Sequence, residues 1–454
     1  MALASFRPLR SRNFALVWSS ALVSNVGTWM QTVALGILVY ARSHQAGWTT
    51  LVAAAAFVPM GLLSPVGGAL ADRFDRRRWL MVTTAGEMSF AAALTILVAM
   101  GHDQPWILVV VAFCGGSAGA IGFPAYQAML PDLVPREDLL GAISLSSAQF
   151  NLGRVVGPAA AGLALLHHDY TLAFGINAAS FAAVLIALAL VRLPRPARSP
   201  GGVGMAERIA DGVRAAWSEP GCRSAVVMIG IVALLASPFI ALVPVMSAAL
   251  HHGEGGTAVL VTAQGVGAVA GALVLPTLAE QLGRQRIVRG SLFLLPLLLV
   301  NYGISPTLWW SAITFTLVGA GYIAVLAGLN TVVQIRAPAE ARGRVLGVYM
   351  MVLGIVYPAG AVVQGLIADH VGVRAVTVGG ALALLVVLGL LAVGRPGLLA
   401  NLGDPPEPVA LPVMAAGGTA PASSPGPPSL RTEVTATRPA AGAPAGGPPA
   451  VEPS

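Results

Sequence analysis

Two ionisable side chains, Glu87 and Arg154, fall well inside long apolar stretches of this chain. A carboxyl in such a place can hold and release a proton. A guanidinium there can meet an anion or pair with an acid. Both are costly to keep in an apolar medium, so an ion buried this way marks a path for ions or cargo by default. Each also has a plainer reading. Glu87 lies about two turns from one end of its stretch and can snorkel or pair structurally. Arg154 belongs to Gly153-Arg-Val-Val-Gly157-Pro158, with Gly162 beyond. Glycines there permit close helix approach and the proline loosens the hydrogen-bond ladder. Anion binding and structural pairing by Arg154 stay equally open.

A second group is polar but uncharged. Asn25, Thr28, Gln31 and Thr32, with Ser24 beside them, recur at spacings of three and four and share one helical face. Such a face either lines a polar cavity or bonds a neighbouring helix. Tyr126, Gln127, Ser237, Tyr322, Asn330 and Gln334 are further cavity candidates. The third group is the run from Gly68 to Arg78, which packs Asp72, Arg73, Asp75, Arg76, Arg77 and Arg78 between two apolar stretches. Arginines alone would serve as anchors at a membrane surface. The interleaved acids add ion pairs that can exchange between two conformations, which favours a gate.

Other chemistries lack their residues. No nucleophile–base pair or metal cluster is legible, which argues against an enzyme and against a metal or cofactor. Cys114 and Cys222 are isolated and read as small packing residues. No G-x-x-x-x-G-K-[ST] run occurs, so the drive must be a gradient or a partner. Gly265-Val-Gly267-Ala-Val-Ala-Gly271 imitates a dinucleotide loop but lies in an apolar stretch without a preceding strand, and reads as small-residue helix packing. The seven histidines, including the adjacent pairs His167–His168 and His251–His252, fall in or beside outward loops. Their spacing fits no metal site, and short polar loops accept histidine freely.

The elements that hold these residues follow from composition. Of the 454 residues, 56% are hydrophobic and 10% charged. Soluble domains carry about 25% charged residues. The chain is therefore expected to be an all-α integral membrane protein. With about 20 apolar residues needed per crossing, twelve spans emerge: 14–41, 47–71, 79–101, 105–129, 140–166, 170–192, 223–250, 257–280, 288–304, 308–334, 343–368 and 373–394. Backbone polar groups must be satisfied within lipid, so the spans are helices, and they are too long and too little alternating for a barrel. The first span is too long for a signal peptide.

All 26 basic residues are arginine. If the N-terminus is cytoplasmic, 23 fall on that side; Arg42 and Arg374 fall outside and Arg154 within a span. That asymmetry orients the chain with both termini cytoplasmic, and the positive charge speaks of the membrane, not nucleic acid. Four regions result: an N-terminal six-helix bundle over 1–192, a cytoplasmic linker over 193–222, a C-terminal six-helix bundle over 223–394, and a Pro/Ala/Gly-rich tail over 395–454 that cannot form a core. In the linker, Ile209, Val213 and Trp217 recur at helical spacing, with Arg208, Asp211 and Arg214 off that face, as in a helix lying on the membrane surface.

The two halves echo each other. Asp72-Arg-Phe-Asp-Arg-Arg-Arg78 matches Glu280-Gln-Leu-Gly-Arg-Gln-Arg286 after the second helix of each, pairing Arg76 with Arg284. Pro135 and Glu137 match Pro338 and Glu340 after the fourth, and Gly157 and Gly162 match Gly360 and Gly365. Parallel six-helix repeats are an architecture of secondary transporters with a midplane site. Gly68-Ala-Leu-Ala-Asp-Arg-Phe-Asp-Arg-Arg-Arg78 closely resembles the loop 2–3 signature of the major facilitator superfamily, apart from Asp75, where glycine is usual. Residues 123–163 and the first span are similar to the exporter branch that includes the enterobactin exporter and multidrug efflux proteins. The resemblance covers about residues 6–394. It implies twelve transmembrane helices in two pseudo-repeat bundles, a central cavity, and an Asp72 that caps a helix of the opposite half when the cytoplasmic side is shut.

The expected function is export of a small amphiphilic molecule, drug-like or siderophore-like, across a bacterial inner membrane by alternating access, against proton entry. The expected partners are that cargo, protons and the bilayer, with the chain a monomer. A non-transporting receptor or scaffold of the same fold, or an importer of a small solute, would serve as alternatives.

Overall fold

The computed structural model describes residues 6–165, 169–191 and 205–403. His167, His168, the first part of the linker and the tail beyond Gly403 lie outside the described residues. No strand occurs among those described.

The first half comprises α1 (Arg12–Ser43), α2 (Ala46–Arg73), α3 (Arg76–Ala99), α4 (Pro105–Leu133), α5 (Leu139–Ala164) and α6 (Tyr170–Leu190). The linker contributes α7 (Met205–Ser218). The second half comprises α8 (Pro220–Leu235), α9 (Val243–Ala249), α10 (Gly253–Leu282), α11 (Arg284–Gly303), α12 (Leu308–Arg336), α13 (Arg342–Val371) and α14 (Val373–Gly394), followed by the short α15 (Pro396–Ala400). Among the described residues, nine helices are long and apolar enough to cross a membrane, and α7 with α8, bent by 110°, would make a tenth. The expected continuous span over 223–250 is broken. α8 ends at Leu235, a 3₁₀ turn covers Ser237–Ile240, and α9 restarts at Val243. Pro238 and Pro244 lack the N–H that a continuing helix would use.

Helix pairing repeats between the halves. In the first, α2 packs on α4, α1 on α5 and α6, and α3 on α4 and α6. In the second, α10 packs on α12, α8 on α13 and α14, and α11 on α12 and α14. Two seams join the halves: α2 with α13, and α5 with α10. Small residues set the spacing at equivalent places. A methyl on Gly157 would sit 2.9 Å from the Val26 carbonyl oxygen of α1, and one on Gly360 would sit 2.6 Å from that of Leu234 on α8. Gly162 faces Ala258 across the α5/α10 seam, while Gly365 faces Thr50 across the α2/α13 seam. Each glycine pair matched in sequence thus serves the same kind of close packing in both halves.

The largest buried cluster is built from the second half. Tyr302 stacks on Phe315 at 4.3 Å between ring centroids, and Phe239 meets Phe315 and Tyr322 edge-on. The linker helix α7 lies against α13, where a methyl on Gly212 would approach the Arg344 carbonyl oxygen at 2.9 Å. It turns its small edge, Gly212 and Ala216, to that contact. Val213 and Trp217 face away, with Trp217 49% exposed.

Candidate functional site

The helices surround a cavity of about 470 Å³ at mid-height. Its wall draws on α1 to α6 and on the second half from the broken helix to α13. Aromatic rings dominate: Trp29, Phe57, Phe150, Phe239, Phe315 and Tyr357. Trp29 meets Phe150 edge-on at 5.8 Å and Phe57 meets Tyr357 at 5.6 Å. Polar groups are few. Glu87 and Arg154 both line the cavity, on α3 and α5. The Arg154 guanidinium lies 5.6 Å above the Trp29 ring, a cation–π placement that holds the charge without an acid. Glu87 lies against α4, where its Oε1 would be 2.8 Å from a methyl on Gly119. That glycine leaves room for the carboxyl.

The α1 polar face divides. Thr28, Gln31 and Thr32 line the cavity, whereas Asn25 lies at the α1/α5 crossing beside Gly153. Gln31 Oε1 accepts from Asn177 Nδ2 at 2.8 Å, so part of this face serves helix–helix bonding. Tyr322 lines the cavity and its hydroxyl donates to Ser237 at 2.9 Å, tying α12 to the break after α8. Tyr126, Gln127, Ser237, Asn330 and Gln334 are not among its lining residues. Tyr126 approaches Gln149 at 3.5 Å, and Gln334 donates to Asn330 at 2.5 Å on α12. Pro158 continues the α5 glycine run within the helix.

The charge run beyond α2 is largely tied within its own half. Arg76 donates to the Ala128 carbonyl and to Asp132, each at 3.1 Å, on α4. Arg77 donates to the Leu188 and Ala189 carbonyls at 2.5 and 2.8 Å, at the C-terminus of α6. Positive charge belongs at that end of a helix. Arg73 lies over Phe74 at 6.0 Å. Asp75 is a helix cap, its Oδ1 accepting the Arg78 N–H at 2.9 Å at the start of α3. The second copy keeps glycine at this place. Gly283 has φ 87°, a left-handed geometry that suits glycine, and starts α11. The departure at Asp75 thus replaces a glycine turn by a side-chain cap. Space around Gly68 is open. Glu280 and Arg284 flank the equivalent junction.

Several working residues escaped the sequence reading. Glu219 precedes Pro220 and caps α8, accepting the Cys222 N–H at 2.6 Å and the Arg336 guanidinium at 2.8 Å. Burial opposes its ionisation, but the Cys222 N–H and the Arg336 charge outweigh it and hold the carboxyl below the usual range. An acid before an N1 proline was the available signal. Asp369 has no such local signal, because its partners lie on α2. His44 and His251 adopt left-handed backbone geometry, φ 52° and 61°, at helix ends, which gives these two a conformational role. Among the described residues no group of three or more metal-ligating side chains occurs.

Comparison with known proteins follows the same lines. A family model described as transmembrane secretion effector matches residues 3–396. The multidrug efflux pump Tap of Mycolicibacterium fortuitum is 26% identical over 391 residues, covering 84% of this chain and 95% of Tap. The staphyloferrin A transporter of Staphylococcus aureus is 26% identical over 365 residues, covering 78% and 89%. A bacterial homologue of the lysosomal transporter Spinster, solved inward-facing and occupied, superposes with a TM-score of 0.68 at 14% identity, over 87% of this chain and 96% of that one. The chain therefore belongs to the transmembrane secretion effector family of the major facilitator superfamily, and it is a transporter, not an enzyme.

Proposed function

We propose that this chain exports a small amphiphilic molecule across the inner membrane by alternating access, driven by proton entry. In this reading twelve helices, with the broken α8–α9 counted as one crossing, form two six-helix bundles around the cavity. The arginine-rich end, which holds both termini, faces the cytoplasm. The structure then represents the molecule open toward the cytoplasm, because the seams are tight at the histidine-bearing end and looser at the other. At the arginine-rich end of the α2–α13 seam, Gly68, Gly343 and Gly347 have open space, whereas Gly47 and Gly365 at the other end are in tight contact across it.

One observation carries the reading: an aromatic cavity shared by both halves that holds a single acid, Glu87, and a single base, Arg154. Aromatic walls favour a largely apolar cargo, and the two ions would fix its polar end or carry the coupling proton. The efflux pump and siderophore transporter among its relatives agree with cargo of this kind.

The test is flux in sealed proteoliposomes under an imposed pH gradient, with aromatic dyes and catecholate or hydroxycarboxylate chelators as cargo. At least one amphiphile should accumulate outside in the presence of the gradient and collapse with a protonophore. Glu87→Gln should abolish the gradient dependence while leaving exchange flux. Gradient dependence retained in that variant would exclude Glu87 as the proton carrier. Flux absent for every cargo, with or without the gradient, would overturn export of an amphiphile as the function.

A further inference from the structure

The histidine-bearing end is shut by contacts between the halves. Asp369, at the last turn of α13, reaches across to the start of α2. Its Oδ1 accepts the Ala46 N–H at 2.5 Å and its Oδ2 the Gly47 N–H at 2.9 Å. These are first-turn N–H groups, which have no partner within their own helix. The N-cap residue of α2, Gln45, makes no side-chain cap of its own. The cap comes instead from a residue more than three hundred positions away. A carboxylate suits that place twice over, through charge-assisted hydrogen bonds and through the positive end of the helix dipole.

The surroundings are shaped for this contact. A methyl on Gly47 would sit 2.8 Å from Asp369 Oδ2 and 3.1 Å from Leu366, so only glycine admits the carboxylate. Gly365 then fits against Thr50, and Gly61 against Gly354, where a methyl on Gly61 would sit 2.9 Å from the Gly354 carbonyl carbon. The seam is glycine-tight from the Asp369 contact to mid-height. Beyond it, Gly68 on α2 and Gly343 and Gly347 on α13 have open space. Beside the α5/α10 seam, the Tyr170 hydroxyl of α6 donates to Glu254 of α10 at the same closed end.

We propose that Asp369 is the latch of the histidine-bearing gate, engaged while that end is closed and released when it opens. This rests on the alternating-access reading above. Breaking this cap lets the start of α2 leave the end of α13, with the two helices rocking about the Gly61–Gly354 contact.

The test needs no cargo. Full-length protein, with Cys114 and Cys222 replaced by serine, is reconstituted in nanodiscs carrying spin-label pairs. One pair, Ala41→Cys with Val371→Cys, reports the latch end; Arg78→Cys with Gly343→Cys reports the other. Asp369→Ala should raise the ratio of long to short distances at the latch end by about tenfold, as the loss of hydrogen bonds to a charged group would. The other pair should shift toward its short distance. Gly47→Ala, which keeps the carboxylate but crowds it, should move both pairs the same way, and Asp369→Asn should fall between. Elution as a single species checks that each variant folds. A parent that exchanges between two distances while Asp369→Ala and Gly47→Ala leave its latch-end distribution unmoved overturns the latch alone. A parent whose two pairs never exchange overturns alternating access and the latch together.

Discussion

At the residue scale, the ions of this chain sort by what faces them. Arg154 stands over Trp29 in the cavity, and replacing it should be felt by cargo more than by the fold. Arg154→Ala is expected to weaken cargo binding at least tenfold, measured by ligand-dependent tryptophan quenching. Arg154→Lys should recover only part of this, since the ammonium lacks the planar stacking surface. Glu219 is different, being structural. Its side chain is 20% exposed and that of Arg336 is 9% exposed. With a folded pKa below the unfolded one, its stabilisation is present above the unfolded carboxylate value and is lost as pH falls through the folded value. Detergent-solubilised protein should lose part of its Tm below about pH 4.3. Glu219→Gln should lower Tm at neutral pH, by the equivalent of about 2 kcal/mol, and flatten that acid limb. An acid limb of unchanged size in the variant would assign it to other carboxylates.

At the scale of elements, glycine placement governs how helices meet. Gly157 and Gly360 each admit a neighbouring carbonyl at a distance no Cβ would tolerate, 2.9 and 2.6 Å. Gly360→Ala should therefore cost about 1–3 kcal/mol by forcing α13 away from α8. Gly157→Ala should act comparably on α1 and α5. Gly379, by contrast, has open space around its Cα, and Gly379→Ala should be neutral or slightly stabilising through helix propensity. Thermal melts of the three variants in one detergent check this, and equal melts for Gly360→Ala and Gly379→Ala would refute the assignment. The expected helices were largely legible, because about 20 apolar residues between charged loops admit few alternatives. The break after α8 was not. A composition window averages over Pro238 and Pro244, whereas the backbone responds to each missing N–H. The linker helix was legible as amphipathic. Which edge it would press on α13 was not, because Gly212 and Ala216 carry too little apolar area to mark a face.

For the whole molecule, sidedness is the open quantity with a direct measurement. In intact cells, single cysteines at His44 and His370 should react with a membrane-impermeant maleimide, while one at Arg78 should react only after lysis. The reverse pattern would invert the orientation and turn the proposed exporter geometry around. The arginine census alone leads to this expectation, since arginine excess marks the cytoplasmic loops.

From the sequence alone follow the medium and the helical class, and an internal match that suggests a duplication. Charge scarcity excludes a water-facing surface, span length excludes barrels, and Asp72–Arg78 matches Glu280–Arg286 in sequence. It also isolated Glu87 and Arg154, because an ion in an apolar run is conspicuous. Only the tertiary structure decided that both share one cavity, that Asp75 is a helix cap, and that Asp369 seals α2. The reason is physical. Apolar burial is written residue by residue along the chain. A carboxylate meeting backbone N–H groups some three hundred residues away leaves no periodicity, because peptide N–H groups look alike in every sequence.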